Sequence, residues 1–380
     1  MEANPWIVIR KYAYELIIVS AGFLVFFNSL FNGFVWDDVQ YIVNYPLVHS
    51  FNLGLLLGPN IYNGGFFYRP VSAFYFAAIF TLFNGTPFFF HAIQLGVHVA
   101  NTLLLLRLFE NFFKKNIAFF LTLIFLIHPI TTESVAYIST IDDPLFVCFG
   151  LVSILFVLKK DLSLWINKVL LICCLLLVLL TKETGAIFLL LCVLMSYLYK
   201  KKAFLFTIVC SVFSILVYGV IRVFTVGLPF STPAPVPIAQ SPLLQRVYTM
   251  PLIFLYYLKA FFYPVSFAID QQWVVKSPSW TNVYLPALLS ILCIGVLVYG
   301  GYYISRHAKD NFKPFILFTC WFFLGIGIHM QIFSLEMTVA DRWFYMPLIG
   351  LLGTLGIFYN LLHVQKKMVR IQVAIGIVLI

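Results

Sequence analysis

Charged residues are scarce in this sequence: they make up 10% of its 380 residues, whereas a soluble domain carries about 25%. Hydrophobic residues make up 62%. This balance excludes a water-soluble globular protein, because too few polar side chains are available to cover its surface. Apolar runs of about 20 residues recur along the chain, and an α-helix of that length crosses a bilayer. The sequence therefore predicts an all-α polytopic membrane protein.

Cysteines are also few. The seven cysteines lie mostly in the middle of apolar runs, without the spacing of metal ligands or of a disulfide framework, so we expect them to be packing residues. The first apolar run, Tyr12 to Phe31, is not followed by a small-residue cleavage site. It is therefore interpreted as a retained first span rather than a signal peptide.

The basic residues are concentrated between the apolar runs, although the net charge of +10 could at first suggest a nucleic-acid partner. They are Arg10 and Lys11, Lys114 and Lys115, Lys159 and Lys160, Lys200 to Lys202, Arg306, Lys309 and Lys313, and Lys366, Lys367 and Arg370. This pattern is typical of cytoplasmic loops that are attracted to anionic lipids. It predicts a cytoplasmic N-terminus, in the inner or plasma membrane of a prokaryote or the endoplasmic reticulum of a eukaryote, and no nucleic-acid partner.

Placing the basic segments on the cytoplasmic side predicts ten spans and the start of an eleventh at Ile371. The sequence ends inside this last apolar run, which favours a longer chain. Residues 32–70 and the Pro-rich residues 228–242 are expected to be outer loops. Residues 243–263 are predicted to be interfacial or re-entrant, since a full crossing there would place the next basic cluster outside. We interpret residues 1–380 as one transmembrane domain.

Two adjacent carboxylates, Asp37 and Asp38, follow the first span and come directly after Trp36. Their mutual repulsion could raise one pKa enough for general-base catalysis, or the pair could hold a divalent cation. The structural alternative is a helix N-cap beside an interfacial tryptophan. Spacing alone leaves these alternatives open.

Further acidic residues occur near the predicted outer ends of spans. Glu133 lies in a polar segment, and Asp142 and Asp143 follow it. Acids at membrane depth are costly and usually have a partner or a function, although this segment also has residues that cap and start helices. Lys182 and Glu183 lie between two spans and could pair with each other.

Two arginines are candidates for binding a phosphate on the outer side, because the planar guanidinium binds oxygens in a bidentate manner. They are Arg342 and Arg69. His91, His98 and Asn101 form a polar stripe on one helix. Such a stripe is more often used for hydrogen bonds between helices than for a metal.

Several of these segments occur in one order along nearly the whole chain. They are Trp36-Asp37-Asp38, Tyr68-Arg69-Pro70-Val71, His128-Pro129-Ile130 with Thr132-Glu133, Lys182-Glu183-Thr184-Gly185, and Arg342-Trp343-Phe344-Tyr345-Met346-Pro347. Together they resemble the GT-C membrane glycosyltransferases. Within that group they are most similar to the protein O-mannosyltransferase-like branch, which includes the transmembrane and TPR-repeat enzymes.

The resemblance implies a GT-C-type bundle with a long first outer loop. It also implies inverting transfer of a sugar from a polyprenyl-phosphate carrier to an acceptor on the extracytoplasmic or luminal face. Asp37 would be the general base, and Asp38 would shape its surroundings. Asp143 matches a second acid of the family better than Asp142 does, with Glu133 in support. Arg342, together with Arg69 and Lys182, would bind the carrier phosphate.

The sequence departs from the family at three positions and lacks TPR repeats. Thr131 stands where the family has a histidine, and Thr140 and Ile141 replace a Gly-Arg pair. Because of these departures, the resemblance does not determine which sugar is transferred. The acceptor could be a protein, a glycan or a lipid. A requirement for a divalent cation also stays open.

Two functions compete with the enzyme. A transporter or lipid flippase would also have many spans, but it is expected to show inverted repeats with paired broken helices, and the sequence shows none. An inactive scaffold of the same fold would be expected to lose its outer carboxylates, yet Asp37 and Asp38 are present.

Overall fold

The structure is a computed structural model that describes residues 12–58, 67–227, 235–265, 267 and 269–364. These residues are mainly helical and form no strand apart from one isolated bridge between Gln271 and Val339. The all-α polytopic membrane architecture is thus confirmed. The chain divides into two compact units, Met1–Pro229 and Phe230–Ile380.

The first unit contains nine of the helices discussed below. They are α1 (Ala13–Phe26, extended by a 3-10 turn at Phe27–Phe31), α2 (Pro70–Phe83), α3 (Pro87–Phe109), α4 (Lys115–Ile127), α5 (Thr132–Ala136), α6 (Asp142–Lys159), α7 (Trp165–Thr181), α8 (Ala186–Tyr199) and α9 (Phe204–Val226). Short turns at Val39–Val43, Pro46–Val48 and Leu53–Leu56 follow the first span. Their side chains pack on α2, so the described part of the first predicted outer loop is folded.

The second unit contains four longer helices. They are α10 (Leu243–Phe262), α11 (Leu285–His307), α12 (Phe312–Gly327) and α13 (Tyr345–Val364). A single turn, Pro237–Gln240, precedes α10, and an irregular segment connects α10 to α11. A second irregular segment follows α12 and leads into a 3-10 turn, Asp341–Phe344, at the start of α13.

Six described helical segments are long and apolar enough to cross a membrane, and a bent pair makes a seventh. Three shorter apolar helices are Pro70–Phe83, Trp165–Thr181 and Glu183–Tyr199. Helix α10 does not qualify by length and composition, and its interfacial or re-entrant position stays a prediction, as does the number of ten or eleven spans. Residues 59–66 and 228–234 of the predicted outer loops, and the apolar run from Ile371, lie outside the described residues.

Proline defines where several helices begin and where one breaks. Pro70 and Pro87 occupy the first positions of α2 and α3, where the missing N–H has no helical partner to lose. At Pro129 the same property stops α4, and the chain turns by 52° into the segment Pro129–Ala136. The Nδ1 atom of His128 accepts a hydrogen bond from the Ile130 amide at 3.1 Å and so caps the turn. This break carries the chain toward the acidic start of α6.

Helices α12 and α13 pack closely at Gly350, where a Cβ atom would lie 2.3 Å from the Phe322 nitrogen. We expect Gly350→Val to destabilise the protein by about 1–3 kcal/mol, because the obstructing atoms belong to backbone that cannot rotate away. Thermal unfolding in detergent measures the effect. Gly295→Val is the matched control, because nothing lies within 4 Å of a Cβ there. Equal losses in the two variants would contradict this account of the packing.

Candidate active site

The loop after the first span carries Asp37 directly after a residue with an unusual backbone conformation, Trp36. Trp36 has φ of +46°, in the left-handed region that residues other than glycine rarely adopt. The Asp38 amide donates to the Val35 carbonyl at 2.9 Å, and the Val35 amide donates to the Asp38 carboxylate at 3.1 Å. These two bonds close a tight turn around Trp36 and Asp37.

The two adjacent carboxylates have different surroundings. Asp38 is fully buried, and its carboxylate accepts hydrogen bonds from the Ser139 amide at 2.7 Å and the Ser139 hydroxyl at 2.5 Å. Burial raises the pKa of Asp38 above its ordinary value, against the opposing effect of these hydrogen bonds, and the neighbouring Asp37 raises it further. Asp37 itself is exposed. The pair therefore consists of one carboxylate that anchors the loop and one that is accessible.

Tyr137 is a contact of Asp37 that the sequence analysis missed. The Asp37 amide donates to the Tyr137 hydroxyl at 3.1 Å. Burial raises the pKa of Tyr137 most, and the charge of Asp37 raises it further. Tyr137 lies in the polar segment that contains Glu133, and this position is the signal that could have indicated it.

Five of the predicted site residues form a cluster of ion pairs. Arg69, which precedes α2, contacts Asp142 at 2.6 Å through Nη1 and Glu183 at 3.1 Å through Nε. Lys182, which follows α7, contacts Asp143 at 2.7 Å and Asp142 at 3.5 Å. The side chains are mostly buried, with Glu183 the most exposed at 30%. The cluster joins the starts of α2 and α6 to the turn between α7 and α8.

The pairing bears on the predicted phosphate ligands. Arg69 and Lys182 were predicted to bind a carrier phosphate, and the structure places both beside carboxylates. Separating either cation from its acid would leave a poorly solvated charge, which is costly. Their contacts therefore support a role in holding the site together, and binding of phosphate by these two residues stays a prediction.

One short segment, Tyr137 to Asp143, connects the carboxylate pair with the ion-pair cluster. Tyr137 and Ser139 contact the Asp37–Asp38 turn, while Asp142 and Asp143 contact Arg69 and Lys182. The Thr140 hydroxyl stabilises the segment by donating to the carbonyls of Glu133 and Tyr137. All predicted site residues of the first unit are therefore linked through contacts, with Glu133 buried in α5 behind them.

Arg342 belongs to the second unit, in the turn that starts α13. Its Nη2 atom lies 3.7 Å from the Met337 sulfur, and its side chain is half-buried. The neighbouring Asp341 is buried and accepts a hydrogen bond from the Tyr256 hydroxyl at 2.5 Å. Gln271 donates to that same hydroxyl at 3.0 Å.

A groove of about 710 Å³ lies within the second unit beside this turn. Its walls are almost entirely apolar and come mainly from α10 and α11. They are Leu252, Leu255, Tyr256, Leu258, Lys259, Phe262, Gln271, Trp273, Leu289 and Cys293. Tyr256 thus both lines the groove and contacts Asp341, while Lys259 supplies an exposed positive charge. The groove can accommodate an apolar chain with an anionic group near its polar residues.

The polar stripe on α3 forms hydrogen bonds with neighbouring helices, as predicted for two of its members. His98 contacts the Leu126 carbonyl of α4 at 2.9 Å, and Asn101 donates to the Pro144 carbonyl of α6 at 2.8 Å. Among the described residues, no group of three or more histidine, cysteine or acidic side chains is arranged to hold a metal ion.

This chain is similar to curated proteins that are named protein O-mannosyl-transferases. F38B6.6 of Caenorhabditis elegans is 24% identical over 369 residues, which is 93% of this chain and 52% of that protein. Human TMTC1 is 34% identical over 134 residues, covering 32% of this chain and 15% of TMTC1. Mouse TMTC3 is 28% identical over 181 residues, covering 44% of this chain and 20% of TMTC3.

These similarities confirm the resemblance to the protein O-mannosyltransferase branch. The chain spans about half the length of F38B6.6, and its matches cover a fifth or less of TMTC1 and TMTC3. No protein-family model and no solved structure matches the chain.

Proposed function

We propose that this protein is a membrane glycosyltransferase that moves a sugar from a polyprenyl-phosphate carrier to a hydroxyl group on the extracytoplasmic or luminal face. The observation that carries the proposal is the accessible carboxylate of Asp37, held on a loop that Asp38 and Tyr137 anchor. The similarity to protein O-mannosyl-transferases along 93% of the chain supports a sugar-transfer reaction.

The proposed reaction is one displacement with inversion at the anomeric carbon. Asp37 removes the proton of the acceptor hydroxyl as its oxygen bonds to the sugar, and the bond from the sugar to the carrier phosphate breaks. The carrier leaves as a lipid phosphate. A cation stabilises the negative charge that develops on the leaving phosphate, and the family resemblance makes Arg342 the proposed ligand of the carrier phosphate.

The other site residues hold the reacting groups. Asp38 anchors the loop through Ser139 and is too buried to serve an incoming acceptor. Arg69, Lys182, Asp142, Asp143 and Glu183 form the rigid wall of ion pairs, with Glu133 buried behind it. Among the carboxylates of the site, Asp37 is therefore the proposed base, and the others hold the surrounding structure in place.

The groove beside Asp341 supports a lipid-linked donor, because it combines apolar walls with the exposed ammonium group of Lys259. We expect Lys259→Gln to raise the KM for the carrier about fivefold with little change in kcat, the size of a weak charge contact. Steady-state transfer measured over a range of carrier concentrations tests this. Lys276→Gln is the control, because Lys276 is exposed and outside the groove; the same KM for both variants would contradict a carrier at Lys259.

Among acceptors we favour a protein hydroxyl, and among sugars mannose, because the relatives are named protein O-mannosyl-transferases. Glycan and lipid acceptors are the alternatives to be compared in the same assay. A divalent cation is an additional variable, and transfer is to be measured with and without EDTA.

The test uses the full chain in lipid nanodiscs with radiolabelled polyprenyl-phosphate mannose and a Ser/Thr-rich peptide. Radiolabel that appears on the peptide supports the proposal, and its inverted anomeric configuration supports the single displacement. A carrier that crosses the bilayer of proteoliposomes without losing its sugar would instead favour the flippase. If a folded protein shows neither sugar transfer nor carrier transport, the inactive scaffold is favoured.

A further inference from the structure

We propose that Tyr137 is a positioning residue for Asp37, one that fixes the backbone of the proposed base. The inference rests on the proposed function, because it assigns Tyr137 a role in that reaction. Tyr137 is buried at 5% exposure, while the carboxylate beside it is exposed. The buried Tyr137 side chain is thus a fixed contact beside the accessible Asp37.

The backbone contact is the first part of the argument. The left-handed backbone conformation of Trp36 is unfavourable for a residue with a side chain, so the turn around Asp37 needs external contacts to persist. Asp38 provides one contact through Ser139, on the carboxyl side of the turn. The hydrogen bond from the Asp37 amide to the Tyr137 hydroxyl provides the other, at the residue that carries the base.

The position of the tyrosine is the second part. Its ring is buried, and its hydroxyl reaches the Asp37 amide from a segment 100 residues further along the chain. That segment also contains Ser139, which holds Asp38. The two contacts therefore join the turn that carries the proposed base to one short piece of backbone.

Only one proton is transferred in the proposed reaction. The acceptor hydroxyl gives its proton to the Asp37 carboxylate, and Tyr137 keeps its own proton throughout. Tyr137 does not touch the sugar or the phosphate, so it acts through Asp37. Removing only its hydroxyl, as in Tyr137→Phe, therefore tests the role while retaining the buried ring.

Two measurements on Tyr137→Phe decide the inference. The first is hydrogen exchange of the Asp37 amide, which we expect to become about tenfold faster without its acceptor. The second is steady-state transfer over a range of carrier concentrations. In it kcat should fall about tenfold with little change in the KM for the carrier, because a displaced base slows the chemical step and leaves carrier binding intact.

The matched control is Tyr75→Phe, which removes a hydroxyl in the same unit that donates to the Phe90 carbonyl at 3.0 Å. It should leave both the exchange of the Asp37 amide and kcat unchanged. Unchanged exchange of the Asp37 amide, or an unchanged kcat, in Tyr137→Phe would overturn the inference. Failure of the native protein to transfer sugar would overturn the proposed function. This failure is distinguished from failure of the inference because it is measured on the native chain, without any variant.

Discussion

Asp37→Asn will lower the rate of sugar transfer about a thousandfold, the range expected when a general base is removed. The amide is nearly the same size and retains the backbone N–H that contacts Tyr137, but it cannot accept the proton of the acceptor hydroxyl. The loss should therefore appear in kcat, with a small change in the KM for the carrier. Initial rates with labelled carrier sugar measure it.

The control for this prediction is Asp161→Asn. Asp161 is also exposed, but it lies between α6 and α7, away from the contacts described above. It should retain native activity. Because Asp37 is exposed, Asp37→Asn should also unfold at nearly the native temperature. Full activity in a folded Asp37→Asn protein would remove Asp37 from the role of base.

Arg69→Met will destabilise the protein by about 3–5 kcal/mol, because it leaves buried acids without their main cation. Arg69 contacts both Asp142 and Glu183, and its own side chain is only 15% exposed. Arg69→Lys should recover part of the loss, since one ammonium group cannot reproduce a contact that uses two guanidinium nitrogens. Reversible unfolding in mixed micelles gives the free energies.

Arg107→Met is the comparison for Arg69→Met. Arg107 also contacts two acids, Glu15 and Glu110, but its side chain is 43% exposed. Water can solvate much of the charge that remains, so we expect a loss of at most about 1 kcal/mol. Similar losses at Arg69 and Arg107 would mean that burial does not set the strength of the ion-pair cluster.

Composition and basic segments were sufficient to predict the helical membrane architecture, because spans and short charged loops leave a local record in the sequence. Most residues of the candidate site could be found in the same way. Asp37, Asp142 and Lys182 are polar side chains in an apolar chain, and each has to be explained by a partner or a function.

The partners themselves could not be predicted locally. The adjacency of Lys182 and Glu183 indicates a pair between the two, whereas the structure pairs Lys182 with Asp143 and Glu183 with Arg69. Residues adjacent in a turn point in different directions, and only helix packing decides what each one meets. The Tyr137 contact was missed for the same reason, since it joins residues 100 positions apart.

The irregular chain between Pro129 and the start of α6 has a cost in hydrogen bonds that other polar residues offset. Where a helix stops, its last carbonyl groups lose their helical donors, and hydrocarbon offers no replacement. The Gln94 side chain of α3 donates to the carbonyls of both Ser134 and Tyr137 at 2.8 Å, and the Thr131 hydroxyl donates to that of His128. The Gln94 amide thus takes the place of water as a hydrogen-bond donor. The irregular backbone that carries Tyr137 depends on Gln94, although Gln94 contacts neither Asp37 nor the ion pairs.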